Sequence, residues 1–185
     1  MKKIFQLKLL SFFAVALFVS SIACAQGDMK MAPAKKAPAS PADSVSGMIG
    51  KAMVSIKYSA PSVRGRKIFG GLQPWDKMWR AGANAATVIN TNKEIKIEGK
   101  TLPAGKYSLF ITPSEKSEWT LTINSETGQG GIKDNGDANE SPAKDVVVVK
   151  IKPKTVPMTE RLKYMISSNG FAMIWETTEL AVSVK

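Results

Sequence analysis

Between residues 64 and 84 the chain gathers Arg64, Arg66, Arg80, Trp75, Trp79 and Asn84 in one glycine-rich stretch. Arginine offers a planar fork to carboxylate or phosphate, and tryptophan a flat apolar face for a ring. Asparagine adds a donor and an acceptor. The set suits an acidic or carbohydrate-like ligand, and these six are candidate binding residues. An architectural use competes with that reading. Trp79 can plug one end of a sandwich, Arg80 can pair with a buried carboxylate, and Gly82 and Asn84 can supply positive φ.

Other chemistry is scarce. The chain has no histidine and a single cysteine, Cys24. That removes the usual Ser-His-Asp and Cys-His nucleophile systems and the His-rich metal sites. No phosphate-cradling glycine loop is present, and no cofactor is expected. Paired carboxylates remain conceivable for glycoside chemistry, with Asp76, Glu94, Glu98, Glu118 and Glu176 as candidates. Each also reads as a solvated strand edge. Residues 134–140 are rich in oxygen ligands, so Asp134, Asp137, Asn139 and Glu140 form a candidate Ca²⁺ loop, although their order is not that of an EF-hand. A polar hairpin loop is the simpler reading.

These residues must be positioned by strands. Val54, Ile56 and Tyr58 alternate with polar residues, as do Ile95 and Ile97, then Tyr107, Leu109 and Ile111, then Trp119, Leu121 and Ile123. Residues 87–91 and 145–152 are β-branched runs. Residues 162–167 and 171–176 flank a Ser168-Asn169-Gly170 turn, and 180–184 closes the chain. Short strands at roughly ten-residue intervals predict an all-β fold: one β-sandwich-like or partly open barrel domain, mainly antiparallel. At most one short helix is expected, with Pro74 at its first position, Asp76 in its first turn and Arg80 at its end. Trp75 and Trp79 would share a face of it.

The first residues have the layout of a secretory signal peptide. Lys2 and Lys3 precede an apolar run at residues 9–19, and small residues follow up to Ala25. The run is shorter than the about 20 apolar residues a membrane span needs. Cleavage before Gln26 fits Ala23-Cys24-Ala25. Lipid attachment at Cys24 is the lesser alternative, since Ser21 stands where leucine is usual. The chain therefore reads as residues 1–25 signal peptide, 26–47 a Pro/Ala/Lys-rich flexible linker, and 48–185 the β-rich domain. The expected location is periplasmic or secreted, or an outer-membrane lipoprotein if Cys24 carries lipid. From Met48 onward there are 20 Lys plus Arg against 13 Asp plus Glu, a net of +7. That surplus suits an acidic envelope partner, although ordinary solubilising charge is the simpler reading. Nucleic acid is not expected, and the sequence points to no particular protein partner.

The run from Ser59 to Thr87 carries Arg64-Gly65-Arg66, Ile68-Phe69-Gly70 and Trp79-Arg80-x-Gly82-Ala83-Asn84. With residues 99–110, Trp119-Thr120-Leu121 and Glu160-Arg161-Leu162, it resembles the bacterial family of domain of unknown function 2911. The resemblance covers the domain from about Met53 onward. It implies a β-rich fold and an exported protein of the kind common in Bacteroidetes-type bacteria, and it supplies no activity. Ala85 stands where many members carry Glu, and residues 128–144 lack the Trp-Gly pair associated with that region.

The favoured functional reading is a non-enzymatic binding module for an acidic or carbohydrate-like envelope ligand. A carboxylate-based hydrolase of envelope glycans and a structural accessory domain with a protein partner are the alternatives.

Overall fold

The structure is a computed structural model that describes residues 38–134 and 136–185. The expected signal peptide, Cys24 and the first part of the expected linker lie outside the described residues.

Alternating apolar residues build the strands, and the apolar face of each is buried. Strands β1 (Ala42–Ile49), β2 (Ala52–Ser59), β3 (Thr87–Thr91), β6 (Gly105–Thr112), β7 (Trp119–Asn124) and β8 (Asp145–Ile151) form one six-stranded sheet. They lie in the order β1-β2-β3-β6-β7-β8, every pair antiparallel. Strand β1 pairs with β2 over its whole length, from Ala42 opposite Ser59 to Ile49 opposite Ala52. Residues 42–47 therefore belong to the sheet and not to the linker. At the other edge, Lys100 Nζ donates to the Val148 carbonyl of β8 at 2.7 Å, blunting an edge that is otherwise a row of valines.

Two hairpins supply the opposing layer. One joins β9 (Lys154–Ser167) to β10 (Gly170–Ser183), and the other joins β4 (Ile95–Ile97) to β5 (Lys100–Leu102). They meet through the end of β10, where Ile97 bridges Val184 and Lys96 and Lys185 exchange N–H···O bonds of 2.7 and 2.9 Å. Buried residues of both layers form one core cluster, among them Ile56, Ile89, Leu109, Leu121, Leu162, Trp175 and Leu180. The result is an antiparallel β-sandwich that does not close into a barrel. Among the described residues the only helical turn is a 3₁₀ turn at Pro142–Lys144. Among these residues no helix is long and apolar enough to cross a membrane.

Strand β10 bends sharply. Its register against β9 shifts on both sides of Glu176, whose φ is +54°. Glu176 Oε1 accepts from the Ile68 N–H at 3.3 Å. The bend carries the end of the strand back over its beginning, so that Val184 N–H reaches the Asn169 carbonyl at 2.9 Å.

The helix expected from Pro74 does not form. Asp76 has φ +58°, which a right-handed helix cannot contain. Trp79 is instead bridged to Ile111 of β6, with N–H···O bonds of 2.7 and 2.8 Å in the two directions. Trp75 and Trp79 thus pack on different rings: Trp75 lies 6.3 Å from Trp119, while Trp79 stacks on Trp175 at 5.6 Å.

Candidate functional site

The segment after Trp79 is a knot of main-chain bonds. Ala81 takes φ +55°, and its carbonyl accepts from Tyr164 Oη at 2.8 Å and from Thr87 Oγ1 at 2.9 Å. Trp79 Nε1 donates to the Gly82 carbonyl at 2.9 Å. Asn84, at φ +60°, donates to Ser59 Oγ at 3.1 Å and to the Ser40 carbonyl at 3.3 Å. Trp79 and Asn84 therefore fasten the loop to the sheets, and Trp79 is only 5% exposed.

Arg64 and Arg66 spend donors on their own surroundings. Arg64 Nη2 reaches the Ala39 carbonyl at 3.2 Å, and its N–H reaches Glu160 Oε1 at 3.0 Å. Arg66 donates to the carbonyls of Ser62 and Val63 at 2.6 and 3.0 Å. Glu160 and Leu162 add main-chain bonds to Val63 and Pro61, so both arginines sit where the loop is stitched to β9. Half-buried Trp75 covers Gly70, where a Cβ would overlap the indole.

Arg80 is placed differently. It lines a cleft of about 660 Å³ between residues 72–80 and the 132–140 loop, together with Gln73, Lys77, Trp79, Ile132 and Glu140. Its alkyl stem packs on Gly131, where a Cβ would stand 2.6 Å from Arg80 Cδ. Its Nε is buried and has no hydrogen-bond partner among the described residues. Burial pushes its pKa below the ordinary arginine value.

The opposite wall holds Glu140, whose Oε1 is likewise buried without a partner. Burial first, then a hydrogen bond and charge repulsion from Asp145, push its pKa up to about 7, against the opposing pull of Lys133. Asn124 holds Asp145 in place by donating to its Oδ1 at 2.8 Å, and it also donates to the Ser141 carbonyl at 2.9 Å. The loop is closed by a bridge between Ile132 and Ala138 and by a bond of 3.1 Å from Asn139 N–H to the Gly131 carbonyl.

Two of the six candidate residues, Trp79 and Arg80, line this cleft. The Ca²⁺ candidates Asp134, Asp137, Asn139 and Glu140 form part of the small hairpin. Among the described residues no three His, Cys, Asp or Glu side chains are grouped to hold a metal ion. Of the five carboxylates considered for glycoside chemistry, Glu98 accepts from Ser183 N–H at 2.6 Å and Glu176 from Ile68, while Asp76, Glu94 and Glu118 are exposed. Glu140 has Asp145 beside it, close enough to raise its pKa. The pairing joins a loop residue to the start of β8 across the 3₁₀ turn, and no spacing rule flags it in the sequence.

Glu140 gives the fold a pH dependence with a defined sign. Its folded pKa of about 7 lies above its ordinary 4.5, so the stabilisation is complete below pH 4.5 and is lost as pH rises through about 7. Glu140→Gln should remove that slope and gain on wild type by about 1–2 kcal/mol between pH 5 and pH 8, solvent screening reducing the full linkage value. Urea melts at both pH values measure it. An equal wild-type-to-variant difference at the two would mean that Glu140 titrates normally.

Fold and cleft together define a class: a single antiparallel β-sandwich domain with an arginine-bearing cleft on one face. Residues 40–184 match a family described as "Protein of unknown function (DUF2911)", and the chain belongs to that family. No curated protein and no solved structure matches the chain significantly.

Proposed function

We propose that the domain is a non-enzymatic binding module for an acidic or carbohydrate-like ligand of the cell envelope, held in the Arg80 cleft. The observation that carries this reading is the Arg80 guanidinium, which lines the cleft and is partly buried there, so that its pKa is lowered. A cation withdrawn from water is costly unless it is paired, and an anionic ligand would be its partner. Lys77 adds a second positive charge to the same walls. The net charge of the domain favours encounter with acidic polymers. The envelope location is inferred from the signal-like first residues.

A thermal-shift panel of acidic and neutral sugars, peptidoglycan fragments and polyanions tests the proposal. A ligand at 100 times its Kd should stabilise by about 2.7 kcal/mol, a rise of several degrees in Tm. Arg80→Gln should remove the shift while keeping the unliganded Tm near that of wild type. A shift that survives Arg80→Gln places the ligand elsewhere, and a panel with no shift overturns the binding reading.

A further inference from the structure

The outward face of the six-stranded sheet carries a second hollow. Ser55 and Lys57 of β2, Val88 and Asn90 of β3 and Lys106 of β6 line about 290 Å³. The register explains the grouping: Ser55 stands opposite Asn90, Lys57 opposite Val88, and Asn90 opposite Lys106. Directly opposed residues of antiparallel strands share a face, and the alternate residues Ile56 and Ile89 point into the core. The two lysines thus flank β3 from β2 and β6, strands about 10 Å apart. Both ammonium groups can reach one small group seated over Val88 and Asn90. Nothing in the protein competes for them. Lys57, Asn90 and Lys106 are exposed, and among the described residues neither these side chains nor that of Ser55 makes a hydrogen bond or an ion pair. Asp43 is the only carboxylate of β1, β2, β3 and β6. It stands opposite Tyr58 on the other face and accepts from Tyr58 Oη at 3.0 Å. The hollow is therefore a positive concavity whose own strands supply no counter-charge, which draws anions to it.

We infer that this hollow is a phosphate site, separate from the Arg80 cleft and independent of it. Two lysines approaching from opposite sides act as point charges, with the amide of Asn90 and the hydroxyl of Ser55 as donors between them. Donors spread over three strands match the several oxygens of a tetrahedral group. A planar carboxylate is better served by an arginine fork. The volume lies at the small end of ligand sites and suits one phosphate group. Met53 lies two residues before Ser55 and pairs with Met48, so both share this face, 44% and 50% exposed. They continue the hollow as an apolar shelf. A phosphate carried on an apolar body, as in a lipid headgroup, therefore gains contacts that free phosphate lacks.

Titration calorimetry on the full chain tests the site with inorganic phosphate, monomeric dihexanoylphosphatidate and hexanoate. Both phosphates should bind, and hexanoate should bind at least about tenfold more weakly than dihexanoylphosphatidate. Lys57→Gln with Lys106→Gln should weaken both phosphates by about tenfold or more. Asn90→Asp, which sets a negative charge between the lysines, should do the same. Lys154→Gln with Lys163→Gln removes the same charge from exposed positions of β9 and should change little. Arg80→Gln should leave phosphate binding as it is. Circular dichroism checks each fold. Tighter binding of dihexanoylphosphatidate than of inorganic phosphate, lost in Met48→Ser with Met53→Ser, would make the ligand a lipid headgroup. Equal binding of the two would make it a soluble phosphate. An equal loss in the β9 pair would reduce the effect to net charge and overturn the site. So would hexanoate binding as tightly as dihexanoylphosphatidate, or a wild-type chain that binds neither phosphate. Binding lost in Arg80→Gln but kept in the Lys57 and Lys106 variant would move the phosphate to the other cleft and overturn the site as well.

Discussion

Trp175→Ala should cost the domain about 3–5 kcal/mol, the loss expected for a fully buried tryptophan. Trp175 is 0% exposed and sits where the aromatic residues of both layers meet. It stacks on Trp79 at 5.6 Å and takes Phe69 edge-on at 6.0 Å. Phe69 in turn touches Trp119 at 4.6 Å. Against a total stability of about 5–15 kcal/mol, the variant would be marginal or unfolded at 37 °C. The informative contrast is Trp175→Phe. The Trp175 Nε1 is buried with no hydrogen-bond partner among the described residues, so removing it breaks no bond and relieves an unsatisfied donor. That variant should lose only about 1–2 kcal/mol, from the smaller ring. Urea denaturation reads both through the midpoint at unchanged slope. Equal costs for the two would mean that the indole N–H is bonded and the packing differs from that described.

Gly170→Ala should be nearly as damaging, at about 3 kcal/mol. A Cβ at this position would land on the Val182 carbonyl oxygen and lie 3.2 Å from the Val184 nitrogen. Both are main-chain atoms that cannot step aside without opening the bent strand. The φ of +150° adds backbone strain for any side chain. Gly99 is the control: it has φ +83° and nothing within 4 Å of an added Cβ. Its alanine variant should lose only the left-handed backbone penalty of about 1–2 kcal/mol. Hydrogen exchange at Val184, whose N–H is held by Asn169, should accelerate in Gly170→Ala and not in Gly99→Ala. Equal stability losses, with unchanged exchange at Val184, would mean that β10 does not fold back on itself.

The strands with strict alternation were legible from the residues alone. Val54, Ile56 and Tyr58, or Trp119, Leu121 and Ile123, bury one face each as period-two patterning requires. Strand β1 was hidden because Ala, Ser and Gly dominate it. Gly47 is small because Ile166 of β9 crowds it, a Cβ there standing 2.9 Å from Ile166 Cγ2. Strand β10 read as two strands because its centre is polar. The bend at Glu176 is stabilised by a partner 108 residues away, which no window on the sequence can contain. The turn helix failed for a similar reason: pairing of Trp79 with Ile111 outweighed the local signal of Pro74 and Asp76. Gly170 was correctly seen at a turn, but its absent side chain answers to Val182, not to the turn.

The candidate site was half visible. Arginine and tryptophan density marked a stretch that supplies Trp79 and Arg80 to the cleft, yet sequence cannot separate Arg64 and Arg66, which bond nearby carbonyls, from Arg80, whose Nε has no partner among the described residues. Glu140 was noticed only as an oxygen ligand in an acidic loop. Its neighbours Asp145 and Asn124 give it another character, and that depends on how the loop lies against β7 and β8.

The contacts made by residues 183–185 also bear on when the domain can form during synthesis. Lys96, Glu98 and Asn169 all take their partners from that final stretch. The first two are tied to it by links spanning more than 80 residues of chain. A ribosome adding about 5–20 residues each second therefore exposes β4 and β5 for several seconds before the residues that secure them exist. Until residue 185 has emerged, β4 and β5 lack the bonds that tie them to the end of β10, and the nascent chain stays open to chaperones. Folding of the second layer is thus deferred until that stretch has emerged, and the high sequence separation of these pairings makes it slow once it starts.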